Sequence, residues 1–213
     1  MPTIKVLVLT KKDSVERQEN IKEQFKKINI PFEFFYGLDT NNLFKGLTAK
    51  ETNCSINHYV MAEYARTTYG KSDYVVFLED DIKLEESFID ILMTLDEVKA
   101  KRNFSVLLLG TFIKDIDGND CTEKSGLNNY ESNGFNYFNL PDYAEYYGAH
   151  GYCVPTDKLL DLSAVRLHCK THADAWSYFN RISTLDILHV YPHIVNQDDK
   201  FDSLIGTHSL MPF

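Results

Sequence analysis

The sequence predicts an α/β protein built on a largely parallel sheet. Short β-branched and aromatic runs alternate with amphipathic helical stretches for more than a hundred residues, the pattern of strands covered by helices on both faces. The helical stretches carry their own start and stop residues. One apolar run, Tyr74–Leu78, ends against three consecutive acids, Glu79, Asp80 and Asp81, and in open α/β sheets ligands gather outside the carboxyl ends of strands.

Ile4–Leu9 reads as the first strand, Thr10–Asp13 as a loop and Ser14–Ile28 as a helix. Asp13 is the expected cap, with Glu16 three residues on, and Ile21, Phe25 and Ile28 form the inward stripe. Phe32–Tyr36 follows as a second strand ending at Gly37-Leu38-Asp39, which completes a β-α-β unit with a right-handed crossover. Thr48 and Glu51 form a capping box for a helix that runs to about Tyr69 and stops at Gly70. On it Glu51, Cys54, His58, Met61 and Ala65 fall on one face. Strand Tyr74–Leu78, a helix from Glu85 to Lys99, and strand Ser105–Leu109 closed by Gly110 come next.

From Thr111 to Asn133 the pattern gives way to Asp, Asn, Gly and Ser, which reads as a long lid or binding loop. An aromatic cluster follows at Tyr137, Phe138, Tyr143, Tyr146 and Tyr147, leading into Gly148-Ala149-His150-Gly151-Tyr152. Short helices at Thr156–Ala164 and Ala173–Phe179, a last strand at Leu185–Tyr191, and a surface tail from Pro192 to Phe213 complete the reading.

The triplet carries the chemistry. In an extended chain side chains alternate, so Glu79 and Asp81 are expected to point together and Asp80 away. Two like charges ~4 Å apart repel by roughly 4 kcal/mol at an effective dielectric near 20, and a divalent cation reverses that cost. Glu79 and Asp81 are therefore candidate ligands for a metal-diphosphate group, against the alternative of a solvated loop whose acids cap the next helix. Asp174 lies at a helix start and is either a cap or, if it opens into the same cleft, a general base. His58 reads as a hydrogen-bonded core residue. His150 sits between glycines and near tyrosines, a setting suited to sugar rings and equally to an aromatic core. Lys11, Lys12 and Arg17 follow the first strand, where phosphates are well served, although no glycine-rich phosphate loop is present.

With 213 residues, 44% hydrophobic and 25% charged, the chain suits one domain with a sizeable core. Its 31 acids against 22 bases give a net charge of −9, which argues against nucleic acid as the main partner. No apolar stretch approaches the ~20 residues of a membrane span, and the start lacks the roughly 7 to 15-residue apolar region of a secretory signal, so a cytoplasmic location is expected. Cys54, Cys121, Cys153 and Cys169 show no C-x-x-C pair and read as free thiols.

Several segments, in order, resemble glycosyltransferase family 25, the bacterial lipooligosaccharide galactosyltransferases related to collagen galactosyltransferases. Leu9 to Arg17 is similar to the family's first loop, Phe34-Phe35-Tyr36-Gly37-Leu38-Asp39 to its second strand end, and Lys50 to His58 to its Gly-Glu-x-Gly-Cys-x-Leu-Ser-His helix, with Lys50, Asn53 and Asn57 as departures. Leu78 to Asp81 matches Leu-Glu-Asp-Asp, Gly148 to Tyr152 matches Gly-x-His-x-Tyr, Asp174 its later Asp before an aromatic helix, and Pro192 to Gln197 its Pro-x-x-x-Gln.

The resemblance implies a GT-A fold, a single Rossmann-like domain over residues 1–213, with a nucleotide-binding half at 1–110 and an acceptor-side half at 111–213. It further implies an inverting hexosyltransferase using a UDP-sugar, UDP-galactose by default, with Mn2+ or Mg2+ on Glu79 and Asp81. Donor contacts fall to Thr10, Lys11, Arg17, Asp39, His58, Glu79, Asp80 and Asp81, sugar and acceptor contacts to His150, Tyr152 and Gln197, and the base to Asp174. The acceptor is expected to be a glycan such as lipooligosaccharide, reached at the inner face of the membrane. A non-catalytic glycan-binding protein and a metal-dependent phosphohydrolase are the rival readings.

Overall fold

A computed structural model describes residues 2–40, 44–114, 127–139 and 145–201. Strand β1 (Ile4–Thr10), helix α1 (Val15–Ile28) and strand β2 (Glu33–Tyr36) form the first crossover, and α2 (Ala49–Thr68) leads into β3 (Tyr74–Glu79). Next come β4 (Ile82–Leu84), α3 (Phe88–Lys101) and β5 (Val106–Lys114), then β6 (Leu127–Ser132), β7 (Phe135–Asn139) and β8 (Glu145–Pro155). Helices α4 (Leu159–Cys169) and α5 (Trp176–Ile182) and strands β9 (Ile187–Tyr191) and β10 (Val195–Gln197) close the described chain.

The main sheet has the order β2-β1-β3-β8-β5-β9-β7-β6, and β10 pairs separately with β4. Strands β2, β1, β3, β5, β9 and β6 run one way, while β8 and β7 run against them. The expected α/β architecture with a largely parallel sheet is present. Alternation along β1 and β3 builds two cores: Val6, Val8, Tyr74, Val76 and Leu78 pack with Phe25 of α1 and Leu92 and Leu95 of α3, whereas Leu7, Val75 and Phe77 pack with Met61 of α2, Leu162 of α4 and Trp176 of α5. Among the described residues, no helix is long and apolar enough to cross a membrane.

The capping box of α2 forms as expected: the Thr48 N–H donates to Glu51 Oε2 at 2.7 Å and the Glu51 N–H to Thr48 Oγ1 at 3.3 Å. At α1 the cap is Ser14 rather than Asp13, with no side-chain cap bond. The Lys11 carbonyl accepts the Ser14 N–H instead, so a backbone turn does the work assigned to the side chain. Helix α3 begins at Phe88 rather than Glu85, because Glu85 closes a turn by accepting the Phe88 N–H.

The expected loop at Thr111–Asn133 is a strand at both ends. Phe112 and Lys114 continue β5 by pairing with Tyr147 and Glu145 of β8, and tertiary pairing overrides the polar composition; residues 115–126 lie outside the described residues. Strand β8 itself was hidden by its glycines, which weaken a strand signal. The expected surface tail is partly core, since Ile194 and Val195 are buried and β10 pairs with β4; residues 202–213 lie outside the described residues.

Glycine makes that last strand possible. A Cβ on Gly110 would fall 1.8 Å from the Val195 carbonyl oxygen, and one on Gly151 would fall 2.7 Å from Val195 Cγ1. The Ile194 N–H also donates to the Leu109 carbonyl at 3.0 Å. Gly110→Ala is therefore expected to lower stability by about 2–3 kcal/mol, in the range of overpacked cores, as read by urea denaturation.

Candidate active site

The carboxyl ends of β1, β2 and β3 open into a cleft of about 1100 Å³, closed on its far side by Gly148 to His150 of β8, the Ala173-Asp174 turn and Gln197. Such a volume holds a nucleotide-sugar-sized ligand. Of the residues singled out in the sequence, Thr10, Lys11, Arg17, Asp39, Glu79, Asp80, Asp81, His150, Asp174 and Gln197 all line it.

The acid triplet departs from simple alternation because β3 ends at Glu79 and the chain bends at Asp80 and Asp81. Asp80 does not point away: Arg17 Nη1 lies 3.1 Å from Asp80 Oδ1 and 3.2 Å from Asp81 Oδ2, and Thr10 Oγ1 donates to Asp80 Oδ2 at 2.6 Å. Arg17, expected at phosphates, instead pins two carboxylates, and its guanidinium lies over the Phe201 ring at 5.3 Å. Lys11 and Lys12 remain exposed at the rim. Among the described residues, Asp81 Oδ1 is buried without a hydrogen-bond partner, an arrangement that costs about 1–3 kcal/mol unless something fills it. The Asp198 N–H donates to the Asp81 carbonyl at 2.7 Å, so the segment after β10 holds the triplet's backbone.

Glu79 faces α2. His58 Nε2 lies 3.0 Å from Glu79 Oε1, His58 Nδ1 lies 2.9 Å from the Tyr152 hydroxyl, and the Cys54 thiol donates to Glu79 at 3.6 Å. His58 and Tyr152 are fully buried. Neither is among the residues lining the cleft; His58 contacts Glu79 directly and Tyr152 contacts His58 from behind. The aromatic cluster behaves alike: Tyr137 and Tyr146 are core residues, Tyr152 stacks on Phe77 at 5.0 Å, and Tyr143 lies outside the described residues.

Two departures from the family helix motif have clear roles. Asn57 Nδ2 donates to the Leu38 carbonyl at 3.0 Å while its Oδ1 accepts the Leu38 N–H at 2.7 Å, and Asn53 Oδ1 accepts the Thr40 N–H at 3.0 Å. Both clamp the loop that carries Asp39. Their four-residue spacing on α2 was the available signal.

Asp174 precedes α5 rather than starting it, since Ala175 is the cap, and it is 9% exposed at the cleft. The turn is held from behind by Arg166, whose Nη1 donates to the Ala173 carbonyl at 2.9 Å while its guanidinium lies 4.9 Å from the Trp176 ring. Sequence reasoning missed this buried arginine. Trp176 Nε1 donates to the Gly148 carbonyl at 3.0 Å. Gly148, at φ 117°, leaves room that a Cβ would take from His150 Cε1 at 2.7 Å.

Burial raises Glu79 to about 7, with the Asp174 charge adding to it. Burial raises Asp81 also to about 7, with Glu79 adding and Arg17 opposing. Glu79 keeps 23% of its side chain exposed, so the burial effect is firmer for Asp81. Burial and His193 lower His150 to about 4. Because the folded state of a raised acid keeps a proton that the unfolded chain has lost, Asp81 costs stability as pH rises from about 4 to about 7. Metal-free Asp81→Asn is expected to gain on the native chain over that window by on the order of 2–4 kcal/mol. Denaturation at pH 5 and pH 8 checks this, and an unchanged difference contradicts it.

Comparison with known proteins agrees with these motifs. The model of glycosyltransferase family 25 (LPS biosynthesis protein) matches residues 3–164. The lipooligosaccharide biosynthesis protein lic2B of Haemophilus influenzae is 26% identical over 173 residues, covering 74% of this chain and 61% of lic2B; the chain thus spans under two thirds of that relative's length. Among solved structures, a glycosyltransferase involved in glycosylation of the major capsid of PBCV-1 gives a TM-score of 0.44 at 10% identity, covering 78% of this chain and 66% of its own. A197 from STIV gives 0.48 at 11% identity over 89% and 81%, and the galactosyltransferase LgtC, in complex with donor and acceptor sugar analogs, 0.41 at 10% over 87% and 72%. On the family match across most of its length, the chain belongs to glycosyltransferase family 25.

Proposed function

We propose that this chain is a metal-dependent, inverting glycosyltransferase that moves a hexose, galactose by default, from a UDP-sugar to a glycan acceptor of the lipooligosaccharide type. The observation that carries the reading is the buried Asp81 Oδ1, without a partner among the described residues, beside Glu79 at a strand end in a cleft that Asp174 also lines. Residues 1–213 would act as one catalytic domain, a reading supported by β8, which inserts between β3 and β5, and by β9, which pairs with β5 in the same sheet.

The donor set fits a hard divalent ion, since carboxylate oxygens suit Mn2+ and Mg2+. Asp81 and Glu79 would hold it, and when bound it neutralises the diphosphate and favours departure of UDP. Every other part of the chemistry falls to the chain. Thr10 and Arg17 fix Asp80 and Asp81 against rotation. Lys11 and Lys12 attract phosphate oxygens at the rim, Asp39 on its Asn-clamped loop meets the nucleoside, and His150 and Gln197 border the sugar side. His150, held neutral by burial, offers hydrogen bonds without adding charge. Asp174 takes the proton of the acceptor hydroxyl as its oxygen bonds to the anomeric carbon, on the face opposite to the bond that breaks to the UDP oxygen. The acceptor would be met at the inner face of the membrane by peripheral association.

Asp174→Asn is expected to lower kcat by about 10²–10⁴-fold with little change in donor KM, the size of a lost general base. Chelation with EDTA should stop UDP release and added Mn2+ restore it in the native chain, with Asp81→Asn not rescued. The test is metal-dependent release of UDP from a panel of UDP-sugars, with and without glycans. Release that needs no glycan points to a phosphohydrolase, and no release or donor binding at all points to a glycan-binding protein.

A further inference from the structure

The cluster behind the acid triplet has the makings of a second metal site. We propose that Cys54 Sγ, His58 Nε2 and Glu79 Oε1 bind one divalent ion of the zinc class, distinct from the diphosphate-bound ion at Asp81, with Glu79 shared between the two through its two carboxylate oxygens. This inference stands without the glycosyl-transfer reading, because it concerns only what these three side chains ligate.

The geometry favours it. All three ligand atoms lie within 4.8 Å of one another, with His58 Nε2 3.0 Å and Cys54 Sγ 3.6 Å from Glu79 Oε1. Tetrahedral zinc with S, N and O ligands needs separations of about 3.4–3.6 Å, from bond lengths near 2.0–2.3 Å. Small side-chain shifts reach that spacing. Cys54 and His58 lie four residues apart on α2, one turn of a helix, which stacks their side chains on one face. Glu79 comes to them from the end of β3.

The surroundings are those of a ligand set. His58 Nδ1 sits 2.9 Å from the Tyr152 hydroxyl, and a proton placed there leaves Nε2 with its lone pair aimed at the cluster, as the outer partner of a metal-bound histidine does. Tyr152 is itself locked between Phe77 and Trp176. Cys54 and Glu79 border the cleft while His58 does not, so a fourth position would face the cleft and take water or a substrate oxygen. A thiolate and an imidazole favour zinc over manganese or magnesium, whereas the all-oxygen acids at Asp81 favour the reverse. Binding releases the thiol proton to solvent.

The test uses the full chain, stripped with a chelator and titrated with Zn2+ or Co2+ alone. One equivalent is expected to bind, the cobalt form showing a thiolate-to-metal charge-transfer band, and Zn2+ slowing alkylation of Cys54 at least tenfold, as mapped by mass spectrometry. Cys54→Ser and His58→Gln should lose the band, and Asp81→Asn should keep it. No band with unprotected Cys54 in the folded native chain overturns the site; so does metal binding that survives Cys54→Ser and disappears in Asp81→Asn, since the ion then sits on the triplet. The Cys54 alkylation readout needs no variant, so a substitution that fails to fold leaves the outcome decided.

Discussion

Three carboxylates at the end of one buried strand is the constraint on which this molecule is organised. Left alone they would repel one another and pay for desolvation, and each receives a different answer. Asp80 takes hydrogen bonds from Thr10 and Arg17. Asp81 shares Arg17 and keeps one oxygen without a partner among the described residues. Glu79 turns to the imidazole and thiol of α2. A single guanidinium cannot balance the three charges, which is why burial and mutual repulsion raise Glu79 and Asp81 together and why the place asks for further positive charge. Acids perturbed by burial and charged neighbours in a cleft are candidates for a functional site.

The partners come from well-separated parts of the chain. Arg17 leaves the first helix, Cys54 and His58 the second, Asp174 a turn ahead of α5, and Asp198 the segment after β10. Each is held by a bond of its own. The Arg166 guanidinium fixes the Asp174 turn through a carbonyl and an indole face, and Asn53 and Asn57 fix the Asp39 loop through backbone groups. Positioning in this site is done largely by backbone hydrogen bonds from buried or half-buried polar side chains, which hold geometry better than long flexible pairs do.

Much of this was legible in the sequence where a local signal existed. The Tyr74–Glu79 strand, the Thr48–Glu51 box and the triplet follow from runs, spacing and capping chemistry. So do most cleft residues, because strand ends are where α/β sheets place them. What could not be read depends on distant partners. Gly148-Ala149-His150-Gly151 does not look like a strand until β3 and β5 flank it, and three residues such as Val195–Gln197 form a strand only because Ile82–Leu84 lies alongside. His58 was legible as a hydrogen-bonded core residue, whereas the place of Tyr152 in a second layer behind it is a tertiary fact. Arg166 gave no warning, since an arginine on a short amphipathic helix reads as surface.

The Val195 crossing over Gly110 and Gly151 ties the triplet's backbone to a segment more than a hundred residues downstream. On the ribosome, the first half emerges with its acids already in sequence but with no wall opposite them. Sheet strands β8 and β9 and the closing strap are synthesised later, so the cleft comes into being only after Asp198 has emerged, through contacts of large sequence separation that form slowly. A nascent chain that stops short of these strands therefore carries the acid triplet without the wall that encloses it.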